Sequence, residues 1–229
     1  IAQDAADEGV TTLELRFAPQ LHRGAPMETI VDAALHGLSG RGGLILCGLY
    51  GEDPDILASL VALSAHRRGV VGIDLAGGPD PSHSFCMLDY APAFAAAEHL
   101  GLGRTVHAGE GRPPAEIAVA VRSLRAQRIG HGTTLLEDPE VIELLREQGV
   151  TVEACITSNW HTAAIANPQS HPAVRWLEKG IRVTFCSDNT LLSATTATAE
   201  HELARSLPGM TEDLLAQSVG FGHSGAFTR

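Results

Sequence analysis

Runs of basic residues are missing from this chain. Its 16 lysines and arginines are outnumbered by 27 aspartates and glutamates, and the resulting formal net charge of -11 is not offset by any interleaved basic and aromatic pattern. A surface of that sign repels a phosphate backbone, which argues against nucleic acid as a partner. Also missing is any uninterrupted apolar run near the roughly 18 to 20 residues that a membrane helix needs, and no secretory signal pattern is present. No membrane partner is expected. Cysteine is scarce: Cys47, Cys86, Cys155 and Cys186 are widely spaced and form no CxxC, and three of them sit in apolar strand-like runs. That reads as reduced, buried thiols of an intracellular protein and gives a cytoplasmic expectation. No linker, repeat or low-complexity tract divides the chain, so 1–229 is read as a single domain with enough apolar content to bury a full core.

What is present is alternation. Helical character over Ile1 to Glu8 stops at Gly9 and is followed by a β-rich run, Thr11 to Phe17. Helix and strand then alternate: Met27–Leu38, Gly43–Leu49, Pro54–Arg68 with Asp53 as N-cap, Val70–Leu75 closing at Gly77-Gly78-Pro79, Tyr90–Leu100, and the strand around Thr105. The second half continues with Pro113–Leu124, Ile129–Gly132, Pro139–Gln148 stopped by Gly149, Val150–Ile156, Pro172–Lys179 stopped by Gly180, and Ile181–Cys186. From Thr195 the chain is helical, with a break at Pro208-Gly209 and a cap at Thr211.

This alternation implies parallel strands covered by helices. A doubly wound sheet would place its ligand at one switch point, whereas chemical residues here close many successive strands; a barrel gathers all strand C-termini on one face. The barrel is the preferred reading. Three strand ends carry the chemistry. Thr105-Val106-His107-Ala108-Gly109-Glu110 presents an imidazole and a carboxylate three residues apart, and its Ala-Gly break lets the chain turn. Arg128-Ile129-Gly130-His131-Gly132-Thr133 and Val183-Thr184-Phe185-Cys186-Ser187-Asp188-Asn189 have the same form.

Taken together, Val70-Val71-Gly72-Ile73-Asp74-Leu75-Ala76-Gly77, His107-Ala108-Gly109-Glu110, Ile129-Gly130-His131-Gly132, Glu153-Ala154-Cys155-Ile156-Thr157-Ser158-Asn159 and Ser187-Asp188-Asn189 resemble, in order, the successive signatures of the adenosine deaminase family. Thr12 to Leu21 is similar to that family's second-strand segment. The resemblance implies a (β/α)8 TIM barrel of the metal-dependent hydrolase type and hydrolytic deamination of a 6-aminopurine nucleoside, a small-molecule partner. It implies one Zn2+ per subunit, with His107 and Asp188 as ligands. It further implies that Glu110 protonates a ring nitrogen, that His131 orients or deprotonates the attacking water, and that Gly77 contacts the substrate through its backbone. Asn189 stands where many eukaryotic members carry a second aspartate, and its amide can offer a donor and an acceptor to the purine.

The family's first strand carries a His-x-His pair that supplies two further zinc ligands, and no His-x-His occurs in this sequence. The alternation yields seven strands where such a barrel has eight. The expectation is therefore a barrel whose first strand, with two of its ligands, lies outside the sequence in hand. Other readings stay open. Glu153, inside an apolar strand, is either a structural ion pair with an arginine or catalytic. Trp160, expected in a loop after the seventh strand, either stacks on a base or packs, and Gly77-Gly78 can be no more than a tight turn. His22, His36, His66, His83, His99 and His201 read as ordinary histidines. Adenine and aminodeoxyfutalosine are the alternative substrates, and a non-catalytic purine-binding relative is the alternative class.

Overall fold

The computed structural model describes residues 1–78 and 82–227, so Pro79 of the expected glycine-proline turn lies outside the described residues. Two compact units emerge from the contacts. The first comprises Ile1–His107, Arg122–Ala126 and 226–227; the second comprises Ala108–Val121 and Gln127–Gly225.

In the first unit, α1 (Ala2–Asp7) leads to β1 (Glu14–Phe17), then α2 (Met27–Leu38), β2 (Gly43–Leu49), α3 (Pro54–Ser64), β3 (Val70–Ala76), α4 (Ala91–His99) and β4, whose span Gly103–Ala108 ends at the unit boundary. The strands are parallel and follow chain order, with Leu15 opposite Leu44, Ile45 opposite Gly72, and Leu75 opposite Val106. Leu44, Ile45, Leu46, Val70, Ile73, Leu75 and Val106 are all fully buried. Consecutive burial along a strand is the mark of a parallel sheet covered on both faces, and each such side chain contributes about 1.5 to 3 kcal/mol. The expected N-cap holds: Asp53 accepts from the Asp55 amide at 3.0 Å, with Pro54 in the first turn. Two strand glycines have a packing reason, because a Cβ on Gly72 would meet the Phe227 ring at 2.7 Å and one on Gly103 would overlap that ring. The Phe227 amide is tied to Glu14 Oε1 at 2.8 Å.

The second unit carries α5 (Ala115–Arg122, its last residue in the first unit), β5 (Arg128–His131), α6 (Pro139–Gln148), β6 (Thr151–Ala154), α7 (Ile156–His161), α8 (Ala173–Glu178), β7 (Arg182–Phe185), α9 (Thr190–Ser193), α10 (Ala197–Arg205) and α11 (Glu212–Gly225). Its strands are again parallel, with Ile129 opposite Val152 and Val152 opposite Val183. Asp138 caps α6 and left-handed Gly149 ends it. Thr211 Oγ1 accepts from the Leu214 amide at 3.2 Å and so caps α11.

Two expectations are corrected. The strand read over Val150–Ile156 stops at Ala154, and Ile156 opens α7, which places Trp160 on a helix and not in a loop. The cause lies far along the chain: Glu200, only 1% exposed on α10, accepts from the amides of Ile156 (3.1 Å) and Thr157 (3.4 Å) and pulls that backbone out of the strand. Likewise the helix read over Pro54–Arg68 ends at Ser64. None of the four cysteines is in a disulfide; Cys47 and Cys155 are buried and Cys86 is exposed. No described helix is long and apolar enough to cross a membrane.

Glu153 forms an ion pair: Arg128 Nε lies 2.8 Å from its Oε1, with side chains 6% and 3% exposed, and Arg128 also donates to the Gly225 carbonyl at 3.1 Å. Removing one member leaves an uncompensated buried charge, whereas replacing both with apolar residues does not. Glu153→Ala should lower the urea-unfolding free energy by about 3 to 5 kcal/mol, and the Arg128→Met/Glu153→Met double variant should recover most of it. Equal losses in the single and double variants would show that packing, not charge pairing, sets the cost.

Candidate active site

At the C-terminal end of β3, Asp74 is fully buried, and burial alone would push its carboxyl up. His107 and Arg16 outweigh that by charge and hydrogen bonding and hold it well below the usual carboxylate range. Arg16 NH1 donates to Asp74 Oδ2 at 3.0 Å, and His107 Nδ1 lies 3.1 Å from both carboxylate oxygens. A histidine that ligates a metal usually gives its other ring N–H to a carboxylate, which fixes the tautomer and raises ligand basicity. His107, with Nδ1 on Asp74, fits that pattern. Gly77, just past β3, has φ +72°, and a Cβ there would meet nothing within 4 Å. Glycine is therefore needed there for backbone conformation, and the open side leaves the peptide approachable.

The second unit holds the other named residues. A side chain on Gly109 (φ +68°) would be strained by its backbone conformation, and its Cβ would come within 2.6 Å of the tip of Ile117. Its carbonyl accepts from the Thr134 amide (3.1 Å) and from Thr133 Oγ1 (2.8 Å), and Thr133 Oγ1 accepts in turn from the Gly111 amide (3.0 Å). These bonds lash the turn bearing Glu110 to the segment after β5. His131, 3% exposed, ends β5 with φ +68°, a left-handed conformation that costs a non-glycine residue on the order of 1 to 3 kcal/mol. Its Nε2 faces Glu110 Oε2 at 3.7 Å.

Asn159 and Thr162 complete the group. Asn159 Nδ2 lies 2.9 Å from His131 Nδ1 and donates to Glu110 Oε1 at 3.4 Å; Thr162 Oγ1 donates to the same oxygen at 2.8 Å. Asp188, after β7, also has left-handed backbone (φ +52°), and its Oδ2 accepts from Ser158 Oγ at 2.7 Å. An anionic oxygen ligand oriented by a hydroxyl donor suits a metal carboxylate. Asn189 caps α9, its Oδ1 accepting from the Leu191 (3.1 Å) and Leu192 (2.9 Å) amides. Trp160 is 47% exposed and packs against the His161 ring at 5.2 Å. Among the described residues, no group of three or more His, Cys, Asp and Glu side chains is placed to hold a metal ion.

With that geometry in hand, the chain matches the adenosine deaminase family profile over residues 1–228. The chain belongs to the adenosine deaminase family. The adenosine deaminase of Clostridium botulinum (strain Langeland) is 33% identical over 222 residues, covering 92% of this chain and 65% of the relative, so this chain spans under two thirds of that relative's length. Among solved structures, the N6-methyl-AMP deaminase of Arabidopsis thaliana superposes with a TM-score of 0.86 at 25% identity, covering 99% of this chain and 71% of that one. The adenine deaminase of Arthrobacter aurescens gives 0.75 at 23% identity, covering 97% and 77%. The fold class is the parallel α/β barrel of the metal-dependent hydrolases, short of one strand among the described residues.

The sequence reading named His107, Glu110, His131 and Asp188 but gave no role to the residues that hold them: Asp74, Asn159, Thr162, Ser158 and, most remote, His171. Asp74 carried a signal, a carboxylate inside an apolar strand, which needs a partner. His171 carried none.

His171 is 5% exposed, with an edge-on Trp176 ring 5.2 Å away. Burial, and secondarily the charge of His131, lowers its pKa from 6.5 to about 3. The folded state thus resists protonation that the unfolded chain accepts, so this contribution to stability is complete above pH 6.5 and is lost as pH falls from there to about 3. Urea-unfolding free energies measured from about pH 7 to pH 4 should fall by up to ~1.4 kcal/mol per pH unit from this residue, and His171→Gln should flatten the profile. Identical slopes in both proteins would assign the acid sensitivity elsewhere.

Proposed function

We propose that this chain carries the machinery of a zinc-dependent aminohydrolase that replaces the 6-amino group of an adenosine-like nucleoside with oxygen and releases ammonia. The observation that carries the reading is the pairing of Glu110 with His131 across 3.7 Å, both held by the Asn159 amide, in a chain of this family. Glu110 Oε1 already accepts two hydrogen bonds, which leaves Oε2 as the oxygen through which it would meet a substrate. From there it would protonate a purine ring nitrogen and neutralise the charge that builds when water adds to C6. His131 would orient or deprotonate that water. The resemblance names His107, in the first unit, and Asp188, in the second, as zinc ligands, and zinc when bound supplies the Lewis acidity that brings water toward its nucleophilic form. Asn189, its oxygen committed to α9, would offer its NH2 to the base, and the resemblance gives Gly77, in the first unit, a backbone contact with the substrate.

The cavity lined by Gly77, the residue proposed to contact the substrate through its backbone, bears on the ring substituent. In the first unit, Leu49, Tyr50, Glu52, Gly77, Ser82 and His83 line an open cavity of about 430 Å³. Glu52 is fixed there by the Gln20 side chain (2.8 Å) and the Leu49 amide (3.0 Å), and no lysine or arginine is among the described lining residues. Phosphate sites are built from guanidinium, ammonium or backbone N–H donors, and a carboxylate repels a phosphate. A neutral sugar is therefore favoured over a nucleotide. This separates the reading from the N6-methyl-AMP deaminase likeness.

Ammonia release from adenosine, deoxyadenosine, adenine, aminodeoxyfutalosine and AMP tests the substrate. Adenosine should exceed AMP in kcat/KM by roughly 100-fold or more, on the scale of like-charge juxtaposition. In a form that includes the His-x-His strand, Glu110→Gln should lose roughly 10² to 10⁴ in kcat with metal content unchanged by elemental analysis, whereas His107→Ala should lose zinc. No turnover of any of the five by a full-length, zinc-loaded protein would overturn the reading in favour of a purine-binding relative.

A further inference from the structure

His131 can carry the proton of its neutral ring on either nitrogen, and the choice decides whether it offers an N–H or a lone pair beside Glu110. The deciding chain of contacts begins at a backbone amide, which cannot be turned round. The Ala173 N–H points at His171 Nδ1 at 3.2 Å, so that nitrogen must be the acceptor and Nε2 must bear the proton. His171 Nε2 lies 3.2 Å from the Asn159 side-chain amide, and a donor there requires the amide oxygen. The Asn159 NH2 group is thereby aimed at His131 Nδ1 (2.9 Å) and at Glu110 Oε1 (3.4 Å). A carboxylate acceptor at the second position demands the same orientation independently. Rotating the Asn159 amide would set N–H against N–H at His171 and oxygen against oxygen at Glu110.

We propose that His171 and Asn159 are positioning residues that lock His131 in the tautomer with Nδ1 as acceptor and the proton on Nε2, facing Glu110. Asn159 is fully buried and His171 nearly so, which makes a broken bond in this chain of contacts costly. Burial also keeps His171 uncharged well below neutral pH, so its two nitrogens hold their donor and acceptor roles at working pH. The lock has a mechanistic consequence that rests on the proposed deaminase reading. Between the two roles open to His131, orienting the water and deprotonating it, the resting ring presents a donor, which selects orientation and charge stabilisation.

The tautomer is measurable without turnover. In the chain labelled with 15N-histidine, with the His131 signals assigned through the His131→Asn variant, the Nδ1 resonance should be that of an unprotonated ring nitrogen. Finding Nδ1 protonated would overturn the proposal. In His171→Met, which removes the donor to Asn159, His131 should become a mixture of both tautomers, and His171→Gln, which keeps an N–H near the same place, should restore the single form. An unchanged His131 signal in folded His171→Met would remove His171 from the lock. Asn159→Asp, which can only accept, should shift the proton to Nδ1. On adenosine, His171→Met should lower kcat roughly 10- to 100-fold with KM within about twofold, the scale expected of residues that orient a functional histidine, and His171→Gln should recover most of it. The expected tautomer in a protein with no turnover would sink the deaminase reading and leave the lock standing; turnover with the opposite tautomer would do the reverse.

Discussion

Parallel strands cannot be joined by a hairpin, and the rest of this structure follows from that constraint. Each strand must be followed by a crossover, so within each unit successive strands deliver their C-terminal ends to the same edge. In the first unit that edge receives His107 and Gly77; in the second it receives His131 and Asp188. The turn out of each strand is abrupt, which is why left-handed backbone gathers there: Gly77, Gly109 and Gly132 adopt it freely, while His131 and Asp188 adopt it at a cost. A side chain held in a strained conformation needs surroundings that over-determine it. His131 has them in Asn159 and the threonine bonds to Gly109.

The polar interior is organised by the same demand. Asp74, Glu153 and Glu200 are nearly or fully inaccessible carboxylates, and each has its own donors: Arg16 and His107, Arg128, and the α7 amides with Thr195. Such groups add little net stability beside aliphatic side chains that each contribute about 1.5 to 3 kcal/mol. Their effect is specificity. Glu200 determines where β6 stops and α7 starts, and through that turn where Ser158 and Asn159 stand. A buried network of this kind tolerates one arrangement only, because every alternative leaves a donor or an acceptor unmatched.

The division of labour at the second unit's edge is equally a matter of partners. Glu110 and His131 are both ionisable and 3.7 Å apart, and the single Asn159 amide touches both. One neutral group thus ties the orientation of the carboxylate to that of the imidazole, and neither can reorient alone.

The elements were legible in the sequence wherever a local signal existed. Asp53-Pro54 starts a helix, Gly149 ends one, and unbroken apolar runs mark strands buried on both faces. The candidate site residues could be named because each sits in a short signature at a strand end. The helix Ile156–His161 was not, because Ile-Thr-Ser-Asn-Trp-His has no apolar helical period and its first amides are held by a carboxylate 44 positions away. Asn189 reads as a substrate group in a signature, yet its oxygen caps a four-residue helix. His171, in an ordinary proline-flanked segment, acquires meaning only when folding sets it beside Asn159. The sequence by itself determined the alternation, the parallel class and the residue types at the strand ends, since these depend on neighbours in the chain. Tertiary structure decided protonation, tautomer and orientation, since these depend on which partners the fold brings to each polar atom once water has been excluded.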